Sequence, residues 1–411
     1  MTATQMLASG FASCLIAFIL SFSLAFWLRR SYHNMDDRDQ LSHGSEYEDT
    51  DMSDEEVSDD SDSYSGVHDD EEDTPVHFIE FDAAKCLPQK ESPLFSSFPG
   101  EIRDLIFRYA LSDYEDMSEL FDENTCYRRP GYFGPHYSDT SLLRTCQRIY
   151  REAWFLPWTT REHTMFLTAP GRCPVRTTSE KQMRPILNLI NAVHGKTEIN
   201  HIRVFPQLYR LEPGDDLQRI NDLAHFYPRR FTITIRHTDW WYWESDTRLS
   251  INSAFVNKCR FPDSVRELCF ELESLERRKD QINSIAKQMM EKWQFQRKDG
   301  VRLTAKDSSI AVMRWSGSST WGGQRWLRDE TRPETLDYYV ATIVFSPLKD
   351  SAGEKAPEYQ APQLFVNGFS PLRSAVASIP SSVLEAANVP PGTSAEDTLA
   401  MLRTRSGGIR L

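Results

Sequence analysis

Residues 265–293, VRELCFELESLERRKDQINSIAKQMMEKW, contain the two periodicities that decide the fold class. Leu268, Phe270 and Leu272 stand at every second position, which predicts a strand with one buried face. The residues that follow repeat apolar positions at intervals of three and four, which predicts a long amphipathic helix. The positions of this helical stripe are Ile282, Ile285, Ala286, Met289, Met290 and Trp293. Strands and helices therefore occur in the same domain.

Further helices and strands are predicted on both sides of this stretch. Helices are expected to open at Pro99, at Ser141 and at the capping box Ser179-x-x-Gln182. Strands are expected at residues 201–205, 231–235, 310–315 and 338–345. Two helices followed by strands mixed with helices predict an α+β domain over residues 93–346, with packed helices on a mainly antiparallel sheet. Residues 347–411, rich in Pro, Ser, Ala and Gly, are predicted to form a mostly disordered tail.

Residues 7–28, LASGFASCLIAFILSFSLAFWL, are an apolar stretch of 22 residues without a charge. As a helix they would span roughly 33 Å, enough for the hydrocarbon core of a bilayer. The fold class therefore includes one N-terminal transmembrane helix. A cleaved signal peptide is the alternative; it is disfavoured because no Lys or Arg precedes the stretch and because the stretch is longer than the usual apolar region. The expected anchor residues are Leu7, Leu15, Ile19, Phe26, Trp27, Leu28, Arg29 and Arg30.

The orientation of this anchor follows from the charges beside it. Arg29 and Arg30 come after the apolar stretch, which favours a cytosolic position for the rest of the chain. The chain has no Asn-x-Ser/Thr glycosylation acceptor, and its seven cysteines are scattered, as in a reducing compartment. We therefore expect a single-pass membrane protein that contacts lipid through its N-terminal helix and whose globular domain faces the cytosol.

Residues 29–92 are predicted to be an acidic, disordered linker. Between positions 36 and 73 there are 18 Asp or Glu and one Arg, a net charge of −17, whereas the whole chain has −13. The low pI thus belongs to this segment, because the rest of the chain sums to about +4. Like charges at this density repel and favour an extended spacer. Regulation through Ser45 or Ser53, each with an acid three residues downstream, is the alternative role.

Two segments of the domain resemble a known family. Residues 98–107, FPGEIRDLIF, resemble the first helix of an F-box, and residues 142–153, LLRTCQRIYREA, resemble its later L-x-x-C-x-x-I-Y-x-E-A helix. In this pairing, and in the strand and long helix of residues 268–293, the chain is similar to a large set of fungal F-box-like proteins of largely uncharacterised function. About 30 residues separate the two helices here, whereas an F-box is compact.

The resemblance implies a partner and a docking face. In F-box proteins this helical unit binds the Skp1-type adaptor of a ubiquitin ligase, and the C-terminal domain selects substrates. The alternative is that both helices pack only on the domain's own sheet. The candidate partner-docking residues are Phe98, Pro99, Ile102, Leu105, Ile106 and Tyr109.

No residue pattern in the sequence predicts catalysis, a metal site or a cofactor. Cys146 with His136 or His163 could suggest a nucleophile and base, but Cys146 stands at an apolar helical position. Metal-ligand spacings and phosphate loops are missing from the sequence. The aromatic run that contains Trp240, Trp241 and Trp243 could wall a ligand or peptide groove, or it could be core. Nucleic-acid binding is not expected, because acids interrupt the nearby arginines, and no small-molecule substrate is expected.

These observations together favour a membrane-anchored, non-enzymatic protein-interaction protein with an F-box-like domain. Its specific role would be that of a ubiquitin-ligase substrate adaptor. The alternative is a membrane-tethered scaffold or peptide-binding domain without a link to a ligase.

Overall fold

The computed structural model describes residues 86–306, 308–348, 359–371 and 376–405. A nine-stranded sheet organises these residues, and three small sheets of two or three strands accompany it. The strands are β1 (Asp113–Glu115), β2 (His136–Ser138), β3 (Glu162–Leu167), β4 (Ile199–Pro206), β5 (Pro228–Ile235), β6 (Ser250–Ile251), β7 (Arg260–Phe261), β8 (Glu267–Leu275), β9 (Phe295–Arg297), β10 (Arg302–Thr304), β11 (Ala311–Ser318), β12 (Thr320–Trp321), β13 (Gln324–Arg325), β14 (Thr335–Pro347), β15 (Leu364–Phe365) and β16 (Ile379–Pro380).

Helices precede the sheet, connect its strands and follow it. They are α1 (Pro93–Ser96), α2 (Gly100–Ala110), α3 (Gln147–Ala153), α4 (Leu156–Thr160), α5 (Glu180–His194), α6 (Leu208–Leu211), α7 (Asp215–Asn221), α8 (Ala254–Lys258), α9 (Lys279–Lys292), α10 (Ser381–Ala386) and α11 (Ala395–Arg405). The predicted capping box is present on α5, where the Ser179 hydroxyl accepts from the Gln182 N–H and the Gln182 side chain accepts from the Ser179 N–H.

The large sheet is mixed, and its first half is parallel. Strands β3, β4, β5 and β8 are neighbours in this order and all run in the same direction. Helix α5 lies between β3 and β4 in the sequence, α6 and α7 lie between β4 and β5, and α8 lies between β5 and β8. Helical crossovers of this kind return the chain to the same end of the sheet and therefore produce parallel neighbours.

The second half of the sheet is centred on the long strand β14. One edge of β14 pairs antiparallel with β8, where Ala341 lies opposite Leu272. Its other edge pairs antiparallel with β11 along residues 335–342 and with β10 at residues 346–347. Strands β9 and β7 extend the sheet beyond β10.

These findings correct the predicted fold class in two respects. The prediction of a mainly antiparallel sheet is wrong, because four adjacent strands are parallel. The predicted transmembrane helix also finds no counterpart: no helix in the described ranges has the length and apolar character needed to cross a membrane. The predicted anchor of residues 7–28 lies outside the described residues, as does the predicted linker up to residue 85.

One face of the sheet forms the main hydrophobic core. Phe231 of β5, Phe270 of β8 and Ala341 of β14 are fully buried in this core, and on each of these adjacent strands every second residue faces it. Helix α9 packs on the same core through the predicted stripe, in which Ile282, Ile285, Ala286, Met289 and Trp293 are buried. The other face of the sheet has charged side chains on its central strands, and Phe166 and Phe205 stack beside them.

Helices α2, α3 and α4 form a smaller core beside the sheet. Phe107 and Leu111 at the end of α2 pack against Ile149, Ala153 and Leu156 of α3 and α4. The Arg103 guanidinium on α2 also donates two hydrogen bonds to the Glu152 carboxylate on α3, at 2.8 and 3.1 Å. The two helical segments are therefore adjacent although β1, β2 and the residues between them separate them in the sequence.

The described residues after position 347, where the sequence favours disorder, contain β15, β16, α10 and α11. Strand β15 pairs with β6, and β16 pairs with β13. Ile379, Ala387 and Leu402 pack with Leu327 in a separate small core.

Candidate functional site

The polar face of the sheet has charged side chains on its central strands. We use the name polar face for Glu162 of β3, His201 and Arg203 of β4, and Glu271 and Glu273 of β8. Successive side chains of a strand point to opposite faces, so these residues alternate with the apolar core residues of the same strands. An alternation of this kind usually indicates a face that is open to water.

A loop covers this face and removes most of it from water. We call residues 121–135, FDENTCYRRPGYFGP, the covering segment. The Tyr132 hydroxyl donates a hydrogen bond to the Glu162 carboxylate, and the Arg129 guanidinium lies 3.4 Å from the Glu273 carboxylate. Arg129 is only 3% exposed and Glu273 is buried as well. A hydrogen bond of 2.7 Å from the Phe121 N–H to the Phe133 carbonyl joins the beginning of the segment to a residue near its end.

Opposite charges compensate each other under the covering segment. Arg203 donates to Glu162 at 2.8 Å and to Glu271 at 2.6 Å. The His201 Nδ1 atom lies 2.5 Å from Glu162 Oε2. Burial by itself would raise the pKa of Glu271, but the positive charges of Arg203 and Arg129 outweigh burial and lower this pKa to about 2. The Glu271 carboxylate is therefore held in its charged form.

A second buried pair lies at the end of β5. Arg236 and Asp239 form a two-point ion pair, with hydrogen bonds of 2.7 and 3.1 Å from the guanidinium to the carboxylate. His237, between them in the sequence, is buried, and its burial lowers its pKa to about 3, with a further contribution from the charge of Arg278. His237 is therefore neutral in the folded protein.

A cavity of about 20 Å³ lies between this pair and the covering segment, and we call it the inner cavity. It has room for roughly one water-sized atom. Several residues of its lining have buried polar atoms without a hydrogen-bond partner, namely Nε of Arg128, Nε and Nη1 of Arg129, Oγ1 of Thr238 and Nε1 of Trp321. Four of these five atoms are N–H donors. Because a buried unpaired donor is costly, the cavity suits an oxygen acceptor.

An open cleft of about 710 Å³ adjoins the inner cavity, since Glu123, Arg128, Trp315, Gly317 and Ser318 line both. Its walls are formed by the covering segment, by residues 315–318 of β11, by Thr320, Arg325, Glu334 and Thr335, and by the C-terminal residues 381–391, which contribute Leu384, Val389, Pro390 and Pro391. Such a size and such mixed walls are typical of a binding site for a peptide or a small molecule.

The structure divides the predicted docking residues between two environments. Leu105 is 48% exposed and Tyr109 is 76% exposed, and Pro99 is also exposed. Phe98 and Ile102 are half-buried, whereas Ile106 packs against the small core of Phe107 and Leu111.

The three tryptophans of the candidate groove do not lie on one surface. Trp240 and Trp243 are buried in the main core, where the Trp240 indole donates to the Glu273 carbonyl at 2.9 Å. Trp241 is partly exposed and donates to the Glu212 carboxylate at 2.9 Å. None of the three lines the cleft or the inner cavity.

The residues considered for catalysis are also separated. Cys146 packs against the small helical core, and His163 is buried with its Nε2 atom 2.6 Å from the Trp158 carbonyl. His136 instead pairs with Asp113 at 3.1 Å. Within the part of the chain that the structure describes, His, Cys, Asp and Glu side chains do not group in threes or more in a way that could hold a metal ion.

The residues that line the inner cavity are not predicted by any pattern in the sequence. Arg128 and Arg129 lie in a stretch without helical or strand periodicity, and Glu273 follows Leu272 at the end of a predicted strand. The available signal was the alternation of Glu271 and Glu273 with buried apolar residues, together with two adjacent arginines in an aromatic loop. This signal becomes specific only when the loop is known to lie on the strand.

No family model, curated protein or solved structure matches this chain.

Proposed function

We propose that this protein is a non-enzymatic protein-interaction protein that docks a Skp1-type adaptor through the outer face of α2. The observation that carries the proposal is the exposure of Leu105 and Tyr109. They are four residues apart, so they lie on the same side of the helix, one turn from each other. A single exposed leucine or tyrosine is common on protein surfaces and indicates nothing by itself. Here the half-buried Ile102 lies on the same side of the helix, so the three residues form an apolar stripe along it.

The inner side of α2 supports this proposal, because it fixes the helix in place. Phe107 and Leu111 are buried against α3 and α4, and Arg103 is bonded to Glu152. The exposed stripe is therefore presented by a rigid element, which reduces the entropy lost on binding. The F-box-like sequence of both helices is what suggests the adaptor as the partner.

The experiment is co-purification of the full-length protein with a Skp1-type adaptor. We expect Leu105→Asp and Tyr109→Asp together to reduce adaptor binding at least tenfold, because a carboxylate would have to be desolvated in an apolar interface. Met117→Asp is the matched control, since Met117 is also an exposed apolar residue but lies outside α2. A folded double variant that retains full adaptor binding would contradict the proposal.

A further inference from the structure

The covering segment contains a tight turn that presents two of its contacts with the sheet. Residues 129–132, RPGY, form this turn: Arg129 and Tyr132 exchange backbone hydrogen bonds, and Gly131 has a φ of +79°. Pro followed by Gly at the two central positions is typical of a type II turn. The same two outer residues reach carboxylates of the sheet, Arg129 through an ion pair and Tyr132 through a hydrogen bond. A group that holds the turn in place therefore also holds both contacts.

His136 of β2 binds this turn and β1 through its two ring nitrogens. Nε2 lies 2.8 Å from the Gly131 carbonyl oxygen, and Nδ1 lies 3.1 Å from the Asp113 Oδ2 atom on β1. The same Asp113 oxygen also accepts a hydrogen bond from the Glu162 N–H at 3.3 Å. A carbonyl and a carboxylate can only accept hydrogen bonds, so both bonds exist only when each ring nitrogen carries a proton. The arrangement is therefore that of a positively charged imidazolium.

The surroundings of the ring favour this charged form. The hydrogen bond to the Asp113 carboxylate raises the pKa of His136 above its usual value, and burial opposes this only in part. The negative charge of Glu115 adds to the rise, and the Tyr132 ring is stacked on the imidazole with ring centres 5.2 Å apart. Other charged or titratable groups act on these partners, namely Arg161 and His163 on Asp113, and Glu162 and Arg203 on Tyr132.

Loss of one proton from His136 breaks the bond that holds the turn. The negative Asp113 carboxylate keeps the remaining proton on Nδ1, so Nε2 becomes the unprotonated nitrogen. The Nε2 lone pair then faces the Gly131 carbonyl oxygen, and a repulsive contact replaces a hydrogen bond. His201 differs, because the Thr232 hydroxyl at its Nε2 can donate as well as accept, so its neutral ring keeps both of its bonds.

We propose that His136 is a pH-sensitive latch, which holds the turn of the covering segment in place while both ring nitrogens carry protons and releases it when Nε2 loses its proton. The latch is complete below about pH 6.5, the usual pKa of histidine, and is lost as the pH rises through the raised pKa of the folded ring. Release loosens Arg129 and Tyr132 and admits water to the inner cavity and the covered carboxylates. The partners of His136 lie on β1 and in the covering segment rather than on α2, so the inference does not rest on adaptor binding.

The test follows opening of the covering segment as trypsin cleavage after Arg128 in the full-length protein, between pH 6 and pH 8.5, by mass spectrometry of the fragments. At each pH the rate is divided by the rate for a free peptide of residues 121–135, which removes the pH dependence of trypsin itself. We expect this normalised rate to rise roughly fivefold across the range, which corresponds to the loss of one hydrogen bond.

Two variants and a control test whether His136 is the cause. In His136→Gln, whose side chain does not titrate, the normalised rate should stay at the high-pH level of the wild-type protein throughout. In Asp113→Asn, the loss of the negative charge should move the midpoint of the rise to a lower pH, a shift that a merely structural role would not produce. His225→Asn, at an exposed position, should keep the wild-type profile.

A second measurement tests the latch in the wild-type protein. With ¹⁵N-labelled histidine, nuclear magnetic resonance should show two ring N–H groups for His136 at pH 6 and only Nδ1–H at high pH. The proposal is overturned if the normalised rate of the wild-type protein does not change with pH, if His136→Gln retains the rise, or if the neutral ring keeps its proton on Nε2.

Discussion

At the scale of single residues, buried histidines link the stability of the protein to pH. His237 and His163 are buried, and burial lowers their pKa values to about 3 and about 4. An unfolded chain would bind a proton at each of them near pH 6.5. Between the folded and unfolded pKa values, the unfolded state therefore binds more protons. The stability contributed by the neutral rings is present above about pH 6.5 and is lost as the pH falls.

We therefore predict that the free energy of unfolding decreases as the pH is lowered from 7 to 5. Each buried histidine contributes a slope of up to about 1.4 kcal/mol per pH unit below about pH 6.5. In His237→Gln the slope should be smaller by the contribution of one histidine, as measured by urea unfolding at several pH values. His225→Asn, at an exposed position, is the control and should keep the wild-type slope. If the free energy of unfolding of His237→Gln depends on pH as steeply as that of the wild-type protein, His237 does not contribute to this pH dependence.

At the scale of elements, the sequence specified most strands but not their directions. Predicted strands at 201–205, 231–235 and 338–345 lie within β4, β5 and β14. Periodicity shows that one face of a strand is buried, but it is the same for parallel and antiparallel neighbours. The information on direction was in the helices α5 to α8 between the strands, which require crossovers. The prediction gave these connections too little weight and also missed β3, which supplies Glu162.

The covering segment was not predictable for a different reason. It has no regular secondary structure over most of its length, so no periodicity marks it, and its role depends on contacts with strands that are distant in the sequence. Arg129 meets Glu271 and Glu273 across more than 140 residues. The polar face of β8 would therefore be expected to face water, whereas the covering segment buries it.

A substitution at Gly134 tests whether close packing against Asp116 holds the covering segment in place. A Cβ at this buried position would collide with the backbone carbonyl oxygen of Asp116. We predict that Gly134→Ala lowers the stability by about 1–3 kcal/mol, a typical effect of overpacking, and loosens the segment. Trypsin should then cut the bond after Arg128, which is protected in the wild-type protein.

Gly100→Ala is the matched control for this prediction. A Cβ at position 100 would meet only the Arg103 guanidinium, at 3.9 Å, so this substitution should leave stability and trypsin resistance unchanged. If Gly134→Ala behaves in the same way as the control, the covering segment is not fixed by its approach to Asp116.

At the scale of the whole molecule, the C-terminal residues complete the cleft, and an arginine from a buried ion pair also binds their backbone. Arg325 of β13 donates two hydrogen bonds to Glu330, at 2.7 and 2.9 Å, and a third to the Thr393 carbonyl at 2.6 Å. The side chains of Arg325 and Glu330 are almost fully buried. Composition alone suggested disorder after residue 347, because Pro, Ser, Ala and Gly are common in unfolded tails. It could not show that a buried arginine would bind the backbone of residue 393.

We predict that Arg325→Met destabilises the protein by about 3–5 kcal/mol, because it leaves the Glu330 carboxylate buried without its partner. Residues 381–405 should become sensitive to protease before the rest of the domain. The double variant Arg325→Met, Glu330→Met should recover much of the stability, because no buried charge remains unpaired. It should not restore the bond to the Thr393 carbonyl, so protease sensitivity of the C-terminal residues should persist. Equal stability of the single and double variants would show that burial of the lone carboxylate is not what destabilises Arg325→Met.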